Sequence, residues 1–294
     1  MIRIALIGFG EVGQILADDL KDRAMLTVWD TQFADPAAIP RKAATVRAIA
    51  LPASAADAVA GADLIVSAVT AAQTLAAAEA VAAGIAPGAR YLDLNSASPG
   101  QKAAAAQAIA ARGGVYVEGA VMSPFPPKRL GSPILLGGPA AQAALPELAA
   151  LGFSGVAFFS ETLGQTSAAK MCRSVMIKGI EALLTESLLA ARHYGVEPTV
   201  LASLGDLLPG PDWPKLARYM ISRSLVHGRR RAEEMQEVAR TVTEAGGPAW
   251  MSAASALRHA WAPQFSHADK AETLLDMLDA IRADAAFGLK DAAE

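Results

Sequence analysis

The sequence predicts an α/β protein in which a doubly wound parallel sheet is followed by an all-helical region. Three observations carry this. Short apolar runs alternate with alanine-rich helical stretches up to about residue 162. From Thr166 onward the pattern is almost wholly helical. The chain also opens on "IALIGFGEVGQILADDL", residues 4–20, an apolar run broken by three glycines that continues as a helix. Strands interleaved with helices indicate a parallel sheet covered on both faces.

Taken in order, strands are expected over Ile2–Ile7, Met25–Trp29, Thr45–Ala48, Leu64–Val69, Tyr91–Leu94, Val115–Val121 and Pro133–Leu136. Helices are expected over Glu11–Lys21, Ala55–Val59, Thr74–Ala83 and Gly100–Arg112. In the helical half, breaks fall at Gly195–Pro198, Leu208–Pro214, Gly246–Pro248 and Ala262–Gln264. The expected division is a domain over residues 1–162 and an all-helical domain over 163–294. The alanine enrichment is that of good helix formers, and no internal repeat is evident.

The 294 residues suffice for two domains with their own cores. With 53% hydrophobic and 19% charged residues, the chain is of folded composition. No apolar run reaches the roughly 18 residues of a membrane span. The N-terminus has no basic segment leading into a signal-peptide core. The single cysteine, Cys172, excludes an intramolecular disulfide and a cysteine zinc cluster, which fits a reducing, cytoplasmic setting. A net charge of -3 gives no general attraction to nucleic acid. The basic run Arg229-Arg230-Arg231 is followed by Glu233 and Glu234 and reads as a solvated helix face. Neither nucleic acid nor membrane is expected as a partner.

Gly8-Phe9-Gly10-Glu11-Val12-Gly13 is a G-x-G-x-x-G motif between an expected strand and an expected helix. Asp30 ends the next strand, 22 positions after Gly8. In a Rossmann-type arrangement Gly8 makes the turn, Gly10 lets the backbone approach a pyrophosphate, and Gly13 lets helix and strand pack closely. The helix start offers N–H groups and partial positive charge to phosphates. Asp30 would accept from the ribose hydroxyls and repel a 2′-phosphate. The expected cofactor is therefore NAD or NADP, with NAD favoured unless Arg41, Lys42 or Arg47 folds over. The strand end Val66-Ser67-Ala68-Val69-Thr70 places Val69 and Thr70 where such folds bind ligands.

Three further stretches follow: "LDLNSASPG" (92–100), "EGAVMSPFPPKRLGSPILLGG" (118–138) and "GQTSAAKMCRSVMIKGIEALLTE" (164–186). With the glycine motif, and in this order, they resemble the β-hydroxyacid dehydrogenase family, built on an NAD-binding domain of the 6-phosphogluconate dehydrogenase type. The resemblance spans residues 1 to about 190. "HGRRRAEEMQEVARTV", further on, is similar to a phosphogluconate-dehydrogenase-like helical C-terminal domain. The resemblance implies that Lys170 is the catalytic lysine and that Asn95, Ser96 and Ser123 lie at the substrate. The sequence departs from the family in three places. Ser174 stands where the family has Asn, one helical turn after Lys170. Pro124-Phe125-Pro126-Pro127 replaces the usual Gly-Gly, so fewer backbone N–H groups can grip a carboxylate. Glu233-Glu234 falls where a Lys-Asp pair is common. These changes argue against gluconate 6-phosphate or a standard small hydroxyacid.

Hydride transfer between an alcohol and nicotinamide needs a group that takes or gives the hydroxyl proton, and a lysine of lowered pKa can do so. Arg173 either supplies the lowering charge or binds an acidic group of the substrate. Without the resemblance, a lysine early in a helix reads as a solvated surface residue. His227, next to Gly228, is a candidate substrate contact contributed across domains. Lys178 and Glu181 read as structural or surface charges, Glu181 lying about 16 Å beyond Lys170 along a helix. His193, His259 and His267 lack metal-ligand spacing, and no metal is expected. Trp213 and Trp261 read as core or lid residues, and Cys172 as a small buried one.

The expected function is an NAD(P)-dependent dehydrogenase acting on CH–OH groups of a small carboxylate-bearing molecule, with Lys170 as general acid/base and decarboxylation left open. The alternatives are an imine reductase-like enzyme, which Lys170 disfavours, and a non-catalytic dinucleotide-binding sensor or regulatory protein. The helical half is expected to pair two copies as a homodimer with the active site between domains.

Overall fold

Successive residues of a strand point to opposite faces, and the sheet of this chain uses that alternation to build two cores. A computed structural model describes residues 1–284 and divides them into two compact units, Met1–Cys172 and a second from Arg173 onward. The first contains β1 (Ile2–Ile7), α1 (Glu11–Leu20), β2 (Ala24–Trp29), α2 (Ile39–Val46), α3 (Ala55–Val59), β3 (Leu64–Ser67) and α4 (Thr74–Ala82). It continues with β4 (Arg90–Asp93), α5 (Pro99–Ala110), β5 (Val115–Val121), β6 (Ile134–Gly137), α6 (Ala141–Ala150), β7 (Val156–Ser160) and the start of α7 (Gln165–Tyr194). The sheet order is β2-β1-β3-β4-β5-β6-β7, parallel throughout except for the antiparallel β5–β6 pair. This is the doubly wound, Rossmann-type sheet that the sequence predicts.

Ile4, Leu6, Leu64, Val66 and Leu92 face one side, against Leu16 and Leu20 of α1 and Ala144 and Leu148 of α6. Ala5, Ile7, Ile65 and Tyr91 face the other, against Val59 of α3, Val81 of α4 and Ile109 of α5. Each fully buried aliphatic side chain contributes about 1.5–3 kcal/mol. Two helix starts are capped as their sequences dictate: Ser54 accepts from Asp57 N at 3.1 Å and Ser98 from Gln101 N at 3.3 Å.

Some expected boundaries need correction. Thr45–Ala48 is not a strand, since Thr45 and Val46 close α2. There Thr45 Oγ1 donates to the Arg41 carbonyl at 3.0 Å and Ala44 is buried in the sheet core, so tertiary packing overrides a β-branched pair. Helix α6 and strand β7 carry no expected counterpart. Pro146 interrupts the helical signal of α6, and β7 leaves Phe158 and Phe159 exposed, which removes its alternation.

The second unit continues α7 and adds α8 (Glu197–Leu207), α9 (Trp213–Glu244), α10 (Trp250–Trp261) and α11 (Leu274–Asp284). Helix α10 ends at the expected break, and a 3₁₀ segment over Ala262–Lys270 follows it. Trp213, Ala217, Ile221 and Leu225 recur every four residues along α9, forming the stripe that meets Leu188, Phe265 and Met277 in the core. Trp213 is thus a core residue, with the half-buried Trp261 packed against the same cluster. At Gly228 an added Cβ would lie 2.4 Å from the His259 carbonyl oxygen, so the glycine beside His227 permits close helix packing. Asp212 caps α9 by accepting from Lys215 N at 3.1 Å.

Candidate functional site

At the carboxyl end of β1, Gly8 adopts φ +92° and its N–H donates to the Trp29 carbonyl at 2.9 Å. A Cβ there would lie 2.5 Å from the Ala68 carbonyl oxygen, and one on Gly13 would lie 2.1 Å from the Gly8 carbonyl oxygen. Both positions exclude a side chain. At Gly10 nothing lies within 4 Å of an added Cβ, so there the loop faces open space at the uncapped start of α1. The strand order reverses between β1 and β3, and such switch points are where doubly wound sheets bind ligands. The cradle therefore fits a dinucleotide pyrophosphate, with the exposed Gly10 and Glu11 and the half-buried Val12 opening the helix.

Asp30 does more than its position in the sequence suggests. Its Oδ2 accepts from Phe9 N at 2.7 Å and its Oδ1 from Gln32 N at 2.9 Å, so this carboxylate shapes the glycine loop. Phe9 is fully buried against Phe33 and its N–H is committed to Asp30. Arg47 makes two hydrogen bonds to Asp18, at 2.8 and 2.9 Å, and lies over the Phe9 ring, while Arg41 donates to the Phe33 carbonyl.

Beyond β3, Val69 N donates to Asn95 Oδ1 at 2.7 Å, and Asn95 Nδ2 donates to Ser67 Oγ at 3.0 Å. The Asn95 amide thus ties the loop after β3 to the loop after β4, while Thr70 is exposed beside it. The second loop is held from below by Asp93, which has no solvent exposure. Asp93 Oδ1 accepts from Asn95 N at 2.9 Å and from Lys102 Nζ at 2.8 Å, and Oδ2 accepts from Tyr116 Oη at 2.7 Å. Lys102 Nζ also reaches the carbonyls of Asp93 and Gly119, at 2.9 and 3.4 Å, so its three protons meet three acceptors. Burial, reinforced by Asp93, pushes the Tyr116 phenol well above its ordinary range and keeps it a donor. On the neighbouring strand the fully buried Glu118 accepts from Gly164 N at 2.8 Å and Ser167 N at 2.7 Å, at the start of α7. Less than one turn further along, Lys170 Nζ donates to Ser96 Oγ at 2.6 Å.

The profile of the NAD binding domain of 6-phosphogluconate dehydrogenase matches residues 3–152. The chain belongs to this family. A domain of unknown function, DUF1932, matches residues 191–261. A conserved hypothetical protein from Sinorhizobium meliloti 1021 is 40% identical, with 96% of this chain and 97% of that one covered and a TM-score of 0.74. A conserved protein of unknown function, reported as structurally similar to 3-hydroxyacid dehydrogenases, is 29% identical over 91% of this chain and 99% of its own, at TM-score 0.67. Mycobacterium tuberculosis 3-hydroxyisobutyrate dehydrogenase, solved with L-serine, shares the fold at 17% identity, covering 96% and 99% of the two chains at TM-score 0.67. No functionally curated protein matches the sequence.

Within the first unit, the sequence-selected residues fall into groups. Gly8 to Gly13 and Asp30 form one, Val69 and Asn95 a second, and Ser96 with Lys170 a third. Ser123 lies in the loop after β5, where its Oγ donates to the Pro124 carbonyl at 3.2 Å. Ser174, one turn beyond Lys170, is buried, whereas Arg173 is exposed. Cys172 is exposed too, contrary to the buried position expected of it. Sequence reasoning missed Asp93, Lys102, Tyr116 and Glu118. The available signal was an acid inside an otherwise apolar strand, in "YLDLN" and again in "VYVEGAV". Among the described residues no group of His, Cys, Asp or Glu is placed to hold a metal ion, and no helix is long and apolar enough to cross a membrane.

The second unit buries charges of its own. Arg231, expected on a solvated face, is buried and pairs with Glu181 at 2.9 Å, while Lys178 pairs with Glu234 at 2.6 Å. Burial pushes Glu181 up to about 7 against the pull of Arg231 and Lys178. His227, half-buried on α9, is lowered to about 4 by burial and by Arg223, Arg230 and Arg231. His259 is fully buried, with Nδ1 3.2 Å from Ser224 Oγ and Nε2 3.1 Å from the Lys178 carbonyl, and burial likewise lowers it to about 4. A histidine depressed in the folded state contributes stability that is complete above its unfolded value of 6.5 and is lost as pH falls toward 4. Glu181, raised from 4.5, works the other way: its contribution is complete below 4.5 and is lost as pH rises through about 7. Replacing His259 by Gln is therefore expected to flatten the acid loss of stability between pH 6.5 and pH 4.5. Urea unfolding at several pH values checks this, and an unchanged slope in the variant contradicts it.

Proposed function

We propose that this protein is an NAD(P)-dependent oxidoreductase of the 3-hydroxyacid dehydrogenase type, interconverting a hydroxyl and a carbonyl on a small carboxylate-bearing molecule. The observation that carries this reading is the Lys170 Nζ–Ser96 Oγ contact at 2.6 Å, formed within the unit that holds the dinucleotide cradle. The nicotinamide, when bound, accepts or returns the hydride. Lys170 takes the hydroxyl proton as the alcohol is oxidised and gives it back to the carbonyl oxygen in reduction. Ser96 orients the lysine amine and the reacting oxygen, and Ser123, Arg173, Ser174 and His227 are assigned as substrate contacts. Asn95 serves by joining the two loops. Gly8, Phe9, Gly10, Glu11, Val12, Gly13, Val69 and Thr70 form the dinucleotide cradle.

NAD is the proposed cofactor in preference to NADP. Asp30 stands at the end of β2, and two of the three cations that could meet a 2′-phosphate, Arg41 and Arg47, are engaged by the Phe33 carbonyl and by Asp18, while Lys42 is exposed. The helical region is proposed to pair two copies in a cytoplasmic homodimer. Trp250, Met251 and Leu257 on α10 are 78%, 62% and 74% exposed, which is costly apolar surface for a monomer.

Each part of this reading has its own measurement. In a screen of β-keto acids with NADH and NADPH, Lys170→Ala is expected to lower kcat about 100-fold or more. Undiminished turnover in the variant would remove the lysine from the mechanism, and dinucleotide binding with no turnover across the panel would favour a sensor. Asp30→Ala is expected to weaken both cofactors, because it also releases Phe9 N, but to raise the NADP-to-NAD ratio of kcat/KM. An unmoved ratio would assign selectivity elsewhere. Light scattering should give twice the 30.3 kDa chain mass, and a fully active monomer contradicts the dimer.

A further inference from the structure

We propose that Glu118 is a positioning residue for Lys170, its carboxylate fixing where α7 begins and hence where the lysine amine stands. The inference rests on the acid/base assignment of Lys170 above. A helix start needs acceptors for its first N–H groups, and a Ser, Thr or Asp at the N-cap usually supplies one. Here Gly164 holds that place, its carbonyl accepting the first helical bond from Ala168 N at 2.9 Å, and it has no side chain to give. Glu118 supplies both acceptors from β5 instead, taking the N–H groups of Gly164 and Ser167.

The seat leaves no slack. A Cβ on Gly137 of β6 would lie 2.1 Å from Thr166 Oγ1 and 3.0 Å from Glu118 Oε2, so the sheet presses directly on the helix start. Lys170 follows Ser167 by three residues, about 4.5 Å along the helix axis. A shift at the cap therefore carries the backbone of Lys170 with it. Glu118 is also the register partner of Asp93 in the β4–β5 ladder. Asp93 holds the loop that carries Ser96, so adjacent strand positions fix both partners of the 2.6 Å contact. The carboxylate has an electrostatic part as well, because an anion at a helix N-terminus offsets the partial positive charge there. Removing it exposes Lys170 to the uncompensated helix end.

The test uses the full chain with Glu118→Gln, which keeps the shape, loses the charge and can accept only one of the two N–H groups. Trace acetylation of Lys170 against pH, read by peptide mass spectrometry, reports the amine without any substrate. The expected result is a midpoint lowered by about half a pH unit, the size of a charge effect at a helix end. A kcat about tenfold lower at unchanged dinucleotide KM is expected alongside it. An unmoved midpoint in folded protein overturns the proposal. Should Glu118→Gln not fold, Ser167→Pro withdraws the N–H that Glu118 accepts, together with the hydroxyl bond to the Gly164 carbonyl, and keeps the charge, proline being tolerated in a first helical turn. An acetylation rate at Lys170 unchanged relative to the other lysines then overturns it. Absence of turnover on the keto-acid panel would end the oxidoreductase reading and leave this measurement standing.

Discussion

Two carboxylates without solvent exposure, Asp93 at the end of β4 and its register partner Glu118 in the middle of β5, hold the loop that carries Ser96 and the start of the helix that carries Lys170. Burying an anion is expensive unless its lone pairs are met. Asp93 is met by Lys102, Tyr116 and the N–H of Asn95, and Glu118 by two N–H groups at a helix start. Desolvation makes each arrangement nearly all-or-none. Breaking a buried pair by removing one partner costs about 3–5 kcal/mol, so small displacements of the loops are resisted strongly. A parallel sheet is well suited to this, because register alone sets the two acids side by side while the chain between them forms α5.

The dinucleotide cradle was legible in the sequence because its physics is local. Gly8 and Gly13 are glycines because backbone oxygens occupy the space of a Cβ, Gly10 leaves that space open at the helix start, and all three positions fall within six residues. Asp30 was legible as a position, but its bonds to Phe9 and Gln32 were not, since they depend on how tightly β2 turns into the following 3₁₀ segment. Lys170 emerged only through resemblance to a family. Glu118 stayed hidden because its partners lie 46 and 49 residues away, across a sheet-to-helix contact that spacing does not encode. The failures of element assignment have the same origin. Thr45 and Val46 have strand propensity but sit at the end of a helix anchored by buried Ala44, and β7 leaves its phenylalanines in solvent.

Satisfied and strained charges separate structure from chemistry in this chain. Lys102 has every proton accepted inside the core, which marks it as a structural lysine despite its place near the site. Lys170, half-buried with its amine on a serine hydroxyl, is the lysine to which the proposed function gives the proton transfer. Arg231 and Glu181, far along the helical region, resemble Lys102 in being buried and paired, and so belong to the scaffold. That reading also corrects the solvated face expected for the arginine run, in which Arg229 and Arg230 are exposed and Arg231 is not.

The proline-rich loop after β5 bears on the substrate half of the proposed function. Phe125 is buried, and its carbonyl accepts from Arg129 N at 2.8 Å, Lys128 N at 3.3 Å and Ser132 Oγ at 3.3 Å, so the loop is closed on itself. Pro124, Pro126 and Pro127 have no N–H to offer a carboxylate. Few backbone N–H groups remain for a nest, so an anion bound here under the proposed function would be met largely by side chains. Side chains differ between relatives more readily than backbone geometry does. In the proposed function a loop of this kind keeps the sheet and cradle while freeing the substrate half from the glycine pattern, which leaves that half to the side chains proposed for it, Ser123 and Arg173 among them.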